Sequence, residues 1–201
     1  MLPTAENQSK NEITIQRLLD GFSFDNSRNT FVPKEVYQES DKSKYLEILG
    51  LTDADSVVCA DFVEEAEAYN VYAITKEEYD YVQSLSKDLK VRHASSVVVA
   101  ELIRECRERT DDTRVFLNIK DQNFEMIVLE GGKLLFFNHF SYKTKEDFLY
   151  FLLFAMEQLS LDAGSVPVYF IGMIEEDSQL IELTKRYVRD VRFKKDLRCE
   201  S

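Results

Sequence analysis

From residue 113 to residue 193 the chain carries an order of patterns that leaves little freedom of architecture. Val115, Leu117 and Ile119 alternate with other residues, and Phe124, Met126 and Val128 alternate again. Alternation sends every second side chain to one face of an extended strand, so both segments predict strands. Gly131-Gly132 marks a turn and 134–140 a third strand, and three short strands with small turns between them make an antiparallel meander. Thr144 and Asp147 then have the spacing of a capping box, opening a helix over about 145–159. The continuous apolar run 166–174, with Pro167 near its start, predicts a strand buried on both faces. Leu180, Ile181, Thr184, Tyr187 and Val188 predict a last amphipathic helix, and Val191 with Phe193 a last strand. The order is β-β-β-α-β-α-β, an α+β class built on a mixed sheet. Helix 145–159 is apolar nearly all round through 148–156. One face satisfies the sheet, and the other is expected to be covered as well.

The first half is less regular. Residues 1–12 are a polar tail without the apolar stretch of a secretory signal. Ile13 and Ile15 lead through Leu18-Leu19 to Asp20-Gly21 and then Phe22-Ser23-Phe24; Asp-Gly between two apolar stretches is a hairpin signal, because glycine takes the positive φ of a tight turn. Asn26 to Asn29 read as a turn, and Pro33 argues against a central strand in the segment that follows. A short helix over 42–49 is closed by Gly50. Strands are expected at 56–63 and 67–74. Thr75 with Glu78 is a second capping box, and a short strand at 90–93 precedes a helix capped by Ser95 or Ser96. The expected organisation is a divergent N-terminal lobe over 13–110 and a second lobe over 111–201.

Composition limits the function classes. A formal charge of −12 repels phosphate backbones and anionic lipid surfaces. The basic run from Arg186 to Arg198 is interrupted by Asp190 and Asp196 and is expected to face solvent, so no nucleic-acid partner is expected. The longest apolar run, 148–156, is too short for a membrane span of about 20 residues, and no membrane insertion is expected. Cys59, Cys106 and Cys199 form no C-x-x-C pair, which argues against a zinc knuckle and fits a reducing, cytoplasmic setting.

The element order resembles the RNase H-like topology of actin, sugar kinases, Hsp70 chaperones and the actin homologues of pilus assembly and cell division. The words Leu19-Asp20-Gly21-Phe22-Ser23-Phe24, Phe31-Val32-Pro33-Lys34-Glu35-Val36-Tyr37 and the stretch Gly132 to Phe140 resemble an uncharacterised bacterial family with an actin-like ATPase fold. The resemblance implies two lobes with nucleotide between them. A full first lobe of that kind would place further strands and a helix between Phe24 and Phe31, where six residues stand, so this lobe is expected to be incomplete, truncated or short of a segment near residues 25–30.

The chemistry that the resemblance implies is thinly represented. Actin-like ATPases hold phosphates in two glycine-containing hairpin turns whose backbone N–H groups meet the oxygens. The first turn here contains Asp20 and Gly21, which a plain Asp-Gly hairpin explains without a ligand. The second, 118–123, has Lys120 offset by Asp121 and contains no glycine. The adenosine loop is reduced to a lone Gly172, followed by Glu175, Glu176 and Asp177, carboxylates that oppose a polyphosphate. The strand at 113–119 has no carboxylate for two-metal nuclease chemistry. His93, His139 and Cys106 are expected to be packing residues, since no nucleophile stands at recognisable spacing. No catalytic residue, metal site or cofactor is therefore expected. Asp20, Gly21, Lys120 and Gly172 would be the contacts if ATP and magnesium bound. The sequence favours a non-enzymatic scaffold that binds a protein partner or itself; the alternative is a divergent nucleotide-binding protein or ATPase.

Overall fold

The computed structural model describes residues 14–18, 21–85, 90–107 and 112–194. Eleven strands and five α-helices are found among them, and the strands form three sheets.

The C-terminal sheet follows the expected order. Strands β7 (Thr113–Ile119), β8 (Asn123–Glu130) and β9 (Lys133–Ser141) form the antiparallel meander. Helix α4 (Lys145–Gln158) crosses to β10 (Val168–Gly172), which lies parallel to β7, and helix α5 (Gln179–Thr184) leads to β11 (Val191–Phe193), parallel to β10. The spatial order is β11-β10-β7-β8-β9. The alternation of the sequence determines what each face buries. Val115, Leu117, Ile119, Phe124, Met126 and Val128 pack under Phe148, Leu152, Ala155 and Met156 of α4. The opposite face, with Phe116, Ile127, Leu129 and Ile171, packs on α3 (Ala94–Cys106) through Val99, Leu102, Ile103 and Cys106. Asn118 and Glu125 belong to this second face by the same period.

Two three-stranded sheets make up the rest. In one, β1 (Thr14–Leu18) pairs antiparallel with β2 (Gly21–Asp25), and β2 pairs parallel with β6 (Lys90–His93). In the other, β5 (Ala68–Thr75) lies between β3 (Asn29–Pro33) and β4 (Ser56–Val63). Pro33 ends an edge strand, where a missing N–H breaks no ladder. Helix α1 (Lys42–Glu47) is shorter than expected: Ile48 is its C-cap, Gly50, with φ +66, lies in the turn that follows, and Leu46 is buried against Val32, Val71 and Ala73. Helix α2 (Lys76–Leu85) opens on the expected box: Glu78 N–H donates to Thr75 Oγ1, and Thr75 N–H to Glu78.

Three expectations need correction. Ser95 and Ser96 do not cap α3. His93 does, its Nδ1 accepting from Ser95 N–H at 3.2 Å, because both serines are drawn inward by buried acceptors. The last helix is shorter than its periodicity implies: it ends at Thr184, and Val188 reaches the core from the turn that follows while Tyr187 faces solvent. Helix α4 is not covered all round. Tyr150 and Phe154 stack on each other at 5.9 Å on its exposed side, an arrangement in which each ring covers part of the other and the Tyr150 hydroxyl stays in water.

Candidate functional site

The most distinctive chemistry lies where the three sheets meet, at the start of α3. Glu125 is fully buried, and three side-chain donors meet its carboxylate. Ser95 Oγ donates to Oε1 at 2.6 Å, Lys120 Nζ to the same oxygen at 2.6 Å, and Asn118 Nδ2 to Oε2 at 2.8 Å. Sheet alternation puts Asn118 and Glu125 on one face as cross-strand partners, and the turn after β7 brings Lys120 back over them. The N-terminal turn of α3, with its aligned N–H dipoles, lies on the same carboxylate through Ser95. Burial disfavours the charged carboxylate, but Lys120, His139 and the hydrogen bonds outweigh it and hold Glu125 down to about 2.

From Glu125 the network runs outward in two directions. Through Ser95 it reaches His93, whose Nδ1 is an acceptor; its Nε2–H then donates to Asn26 Oδ1 at 3.3 Å, and Asn26 Nδ2 donates to the Ala73 carbonyl at 3.0 Å. Through His139, whose Nδ1 lies 3.9 Å from Glu125 Oε1, it reaches Asn29: His139 Nε2 and Asn29 Oδ1 are 2.6 Å apart. Asn29 donates to Asn70 at 2.9 Å, Asn70 to Ser96 at 2.9 Å, and Ser96 to Asp61 at 2.7 Å. Asp61 also accepts from His93 N–H at 2.7 Å and Tyr72 OH at 3.2 Å. Burial raises the Asp61 carboxyl, and these bonds pull against that rise. Burial lowers both imidazoles, His93 to about 3 and His139 to about 4, so both are neutral near pH 7. His139 Nδ1 is buried without a hydrogen-bond partner.

The residues singled out from sequence divide between sheets. Lys120 and Gly172 come together: Gly172 has φ +86, and a Cβ there would lie 2.4 Å from Asn118 Oδ1 and 2.5 Å from the Ile119 carbonyl. Glycine at 172 thus allows β10 to approach β7 so closely that Met173 N–H bonds the Ile119 carbonyl at 2.7 Å. Gly21 lies in another sheet, between Leu18 and Lys90. Asp20 falls outside the described residues. The glycine-free second turn is closed by Gln122 at φ +45, with Lys120 N–H bonding the Asn123 carbonyl. His93, His139 and Cys106 are packed or partly packed, as expected. The sequence reading missed Glu125, Asn118, Asn29, Asn70, Asp61 and the inward role of Ser95 and Ser96. The available signal was a polar residue inside an apolar strand, Glu125 between Phe124 and Met126, and Asn70 between Tyr69 and Val71. Among the described residues, no group of three or more His, Cys, Asp or Glu is placed to hold a metal ion.

Residues 22–191 match the family model "Protein of unknown function (DUF3822)". The chain belongs to that family. No curated protein matches this DUF3822 chain. Among solved structures it is similar to a protein of Bacteroides thetaiotaomicron VPI-5482 with an actin-like ATPase fold and unknown function, at 16% identity and TM-score 0.79, over 85% of this chain and 66% of that one. It is also similar to a chain of a PilM–PilN type IV pilus biogenesis complex, at 13% identity and TM-score 0.53, over 83% of this chain and 65% of that one. The DUF3822 chain thus has an actin-like ATPase fold and spans slightly less than two thirds of either structure. No helix among the described residues is long and apolar enough to cross a membrane.

Proposed function

We propose that this DUF3822 protein is a non-catalytic protein-interaction module in which the junction of the sheets is a structural core. One observation carries the reading. A place equipped to receive an anion, at the first turn of α3 with Lys120, Ser95 and Asn118 converging, holds the protein's own Glu125 carboxylate. A phosphate entering there would meet a buried negative charge and have to displace it, since two anions at one dry site repel strongly. The two residues named from sequence that do converge, Lys120 and Gly172, are engaged with Glu125 and Asn118. The PilM–PilN complex gives the interaction reading support by analogy, as an assembly that includes a chain of similar fold.

Calorimetry and thermal shift with Mg-ATP and Mg-ADP test the reading directly. No heat and no shift at millimolar nucleotide is the expected result. A micromolar dissociation constant, weakened by Lys120→Met, would establish the alternative, a divergent nucleotide-binding protein. Light scattering and cross-linking of the full chain supply the positive arm, where a partner or a defined self-assembly is expected.

A further inference from the structure

Two sheet edges face each other without joining. On β3, Ala73 N–H bonds the Arg28 carbonyl and Lys34 N–H bonds the Glu67 carbonyl, so by antiparallel alternation residues 29, 31 and 33 turn their backbone groups away from β5. On β9, Tyr142 N–H bonds the Gln122 carbonyl and His139 N–H turns to its neighbour Asn138 Oδ1, so residues 137 and 139 face away from β8. These outward sets meet side by side. Asn29 bonds His139, and the rings of Phe31 and Phe137 lie 4.7 Å apart. Beyond that pair the strands part, and β3 and β9 remain in separate sheets. The gap is a pocket of about 280 Å³, lined by Phe31, Pro33, Ala66 and Ala68 on one wall and by Leu134 to Phe137 of β9 on the other. Glu35, Glu65, Glu67 and Lys133 also line it. Glu65 is paired with Arg104, whereas Glu35 and Glu67 are exposed. The β-bulge opposite Val128 and Leu129 falls within this same stretch of β9.

We infer that the open edge of β9, from Lys133 to Phe137, takes an extended segment of a partner protein as an added strand, with an apolar side chain in the pocket and basic residues on either side of it. The proposal deepens the interaction reading and rests on it. Three features select this occupant. The edge of β9 is unpaired in its sheet, and its outward backbone groups on either side of the bulge are donors and acceptors that an extended chain satisfies. The pocket is below the roughly 300–1,000 Å³ usual for a small-molecule site, and matches a side chain or two. Its carboxylates outnumber its cations, which selects a basic segment against an acidic one.

The test is a random heptapeptide library displayed on phage and panned on the full chain, with enriched sequences synthesised and titrated by fluorescence anisotropy. Enriched peptides are expected to alternate apolar and basic residues and to shift the backbone amide resonances of residues 133–137. The double variant Glu35→Lys, Glu67→Lys, both exposed positions, should weaken their binding about tenfold, two rim charges being worth roughly 1.4 kcal/mol together. Enriched peptides that shift amides of α4 instead, or that ignore the double variant, would overturn the docking site and leave the interaction reading intact. Homodimerisation through β9 would overturn it equally, since the occupant would then be a second copy. A library with no enriched sequence, together with no partner or self-association in solution, would overturn both.

Discussion

A single carboxylate sets the character of the sheet junction. Burying a charge is costly unless it is fully bonded, and Glu125 receives three donors, from α3, from β7 and from the turn after β7. Removing one member of such a pair costs more than the pair itself contributes, because the other keeps its desolvation penalty. Glu125→Gln is therefore expected to lower unfolding stability by about 3 kcal/mol in urea titrations. The double variant Glu125→Gln, Lys120→Met should lose less than the sum of the two single changes, the coupling expected of residues in direct contact. Additivity within error would show that the two side chains do not interact in solution.

At the scale of elements, α4 shows how the local signals and the packing divide the work. Thr144 and Asp147 cap it reciprocally: Thr144 Oγ1 accepts from Asp147 N–H at 3.1 Å, and Asp147 Oδ2 from Thr144 N–H at 3.1 Å. The bonds to Lys143 and Thr144 N–H hold the Asp147 carboxyl below its ordinary range. Thr144→Ala removes the bond from Asp147 N–H to the Thr144 hydroxyl at an exposed helix start, and a loss of about 1 kcal/mol in thermal or urea unfolding is expected. The position of α4 itself comes from Phe148, Leu152 and Met156 beneath it, so the variant should keep the fold and lose only stability.

The polar network gives the whole molecule a predictable response to acid. Histidines in the unfolded chain bind protons near 6.5, whereas His139 and His93 in the folded protein hold off to about 4 and about 3. Between those values the unfolded state binds more protons, so stability falls as pH falls. Glu125, ordinarily near 4.5 and held at about 2, adds a second loss below its ordinary value. Asp61, raised by burial, works in the opposite sense and softens the second loss. Melting temperatures are expected to be level from about pH 7 to 8 and to decline from about 6.5 to 4. His139→Gln should flatten that decline; an unchanged slope would show that the imidazole titrates normally in the folded protein.

The sequence by itself determined the C-terminal architecture, because period-two alternation in 115–119 and 124–128, the glycine turn at 131–132 and the box at Thr144 are each local and all agree. It also determined the caps of α2 and α4 and the edge position of β3, where a proline leaves few choices. The tertiary structure decided the junction. Nothing near Glu125 in the chain announces that Ser95 and Lys120 will bond it, and Asn29 meets His139 across 110 positions. Long-range packing also reversed a local preference at Ser95 and Ser96, where two good caps became buried donors because acceptors from β8 and β4 were waiting. Hydrogen-bond partners in a folded core are chosen by which strands come to lie beside one another, and that choice is made by the sheets as a whole.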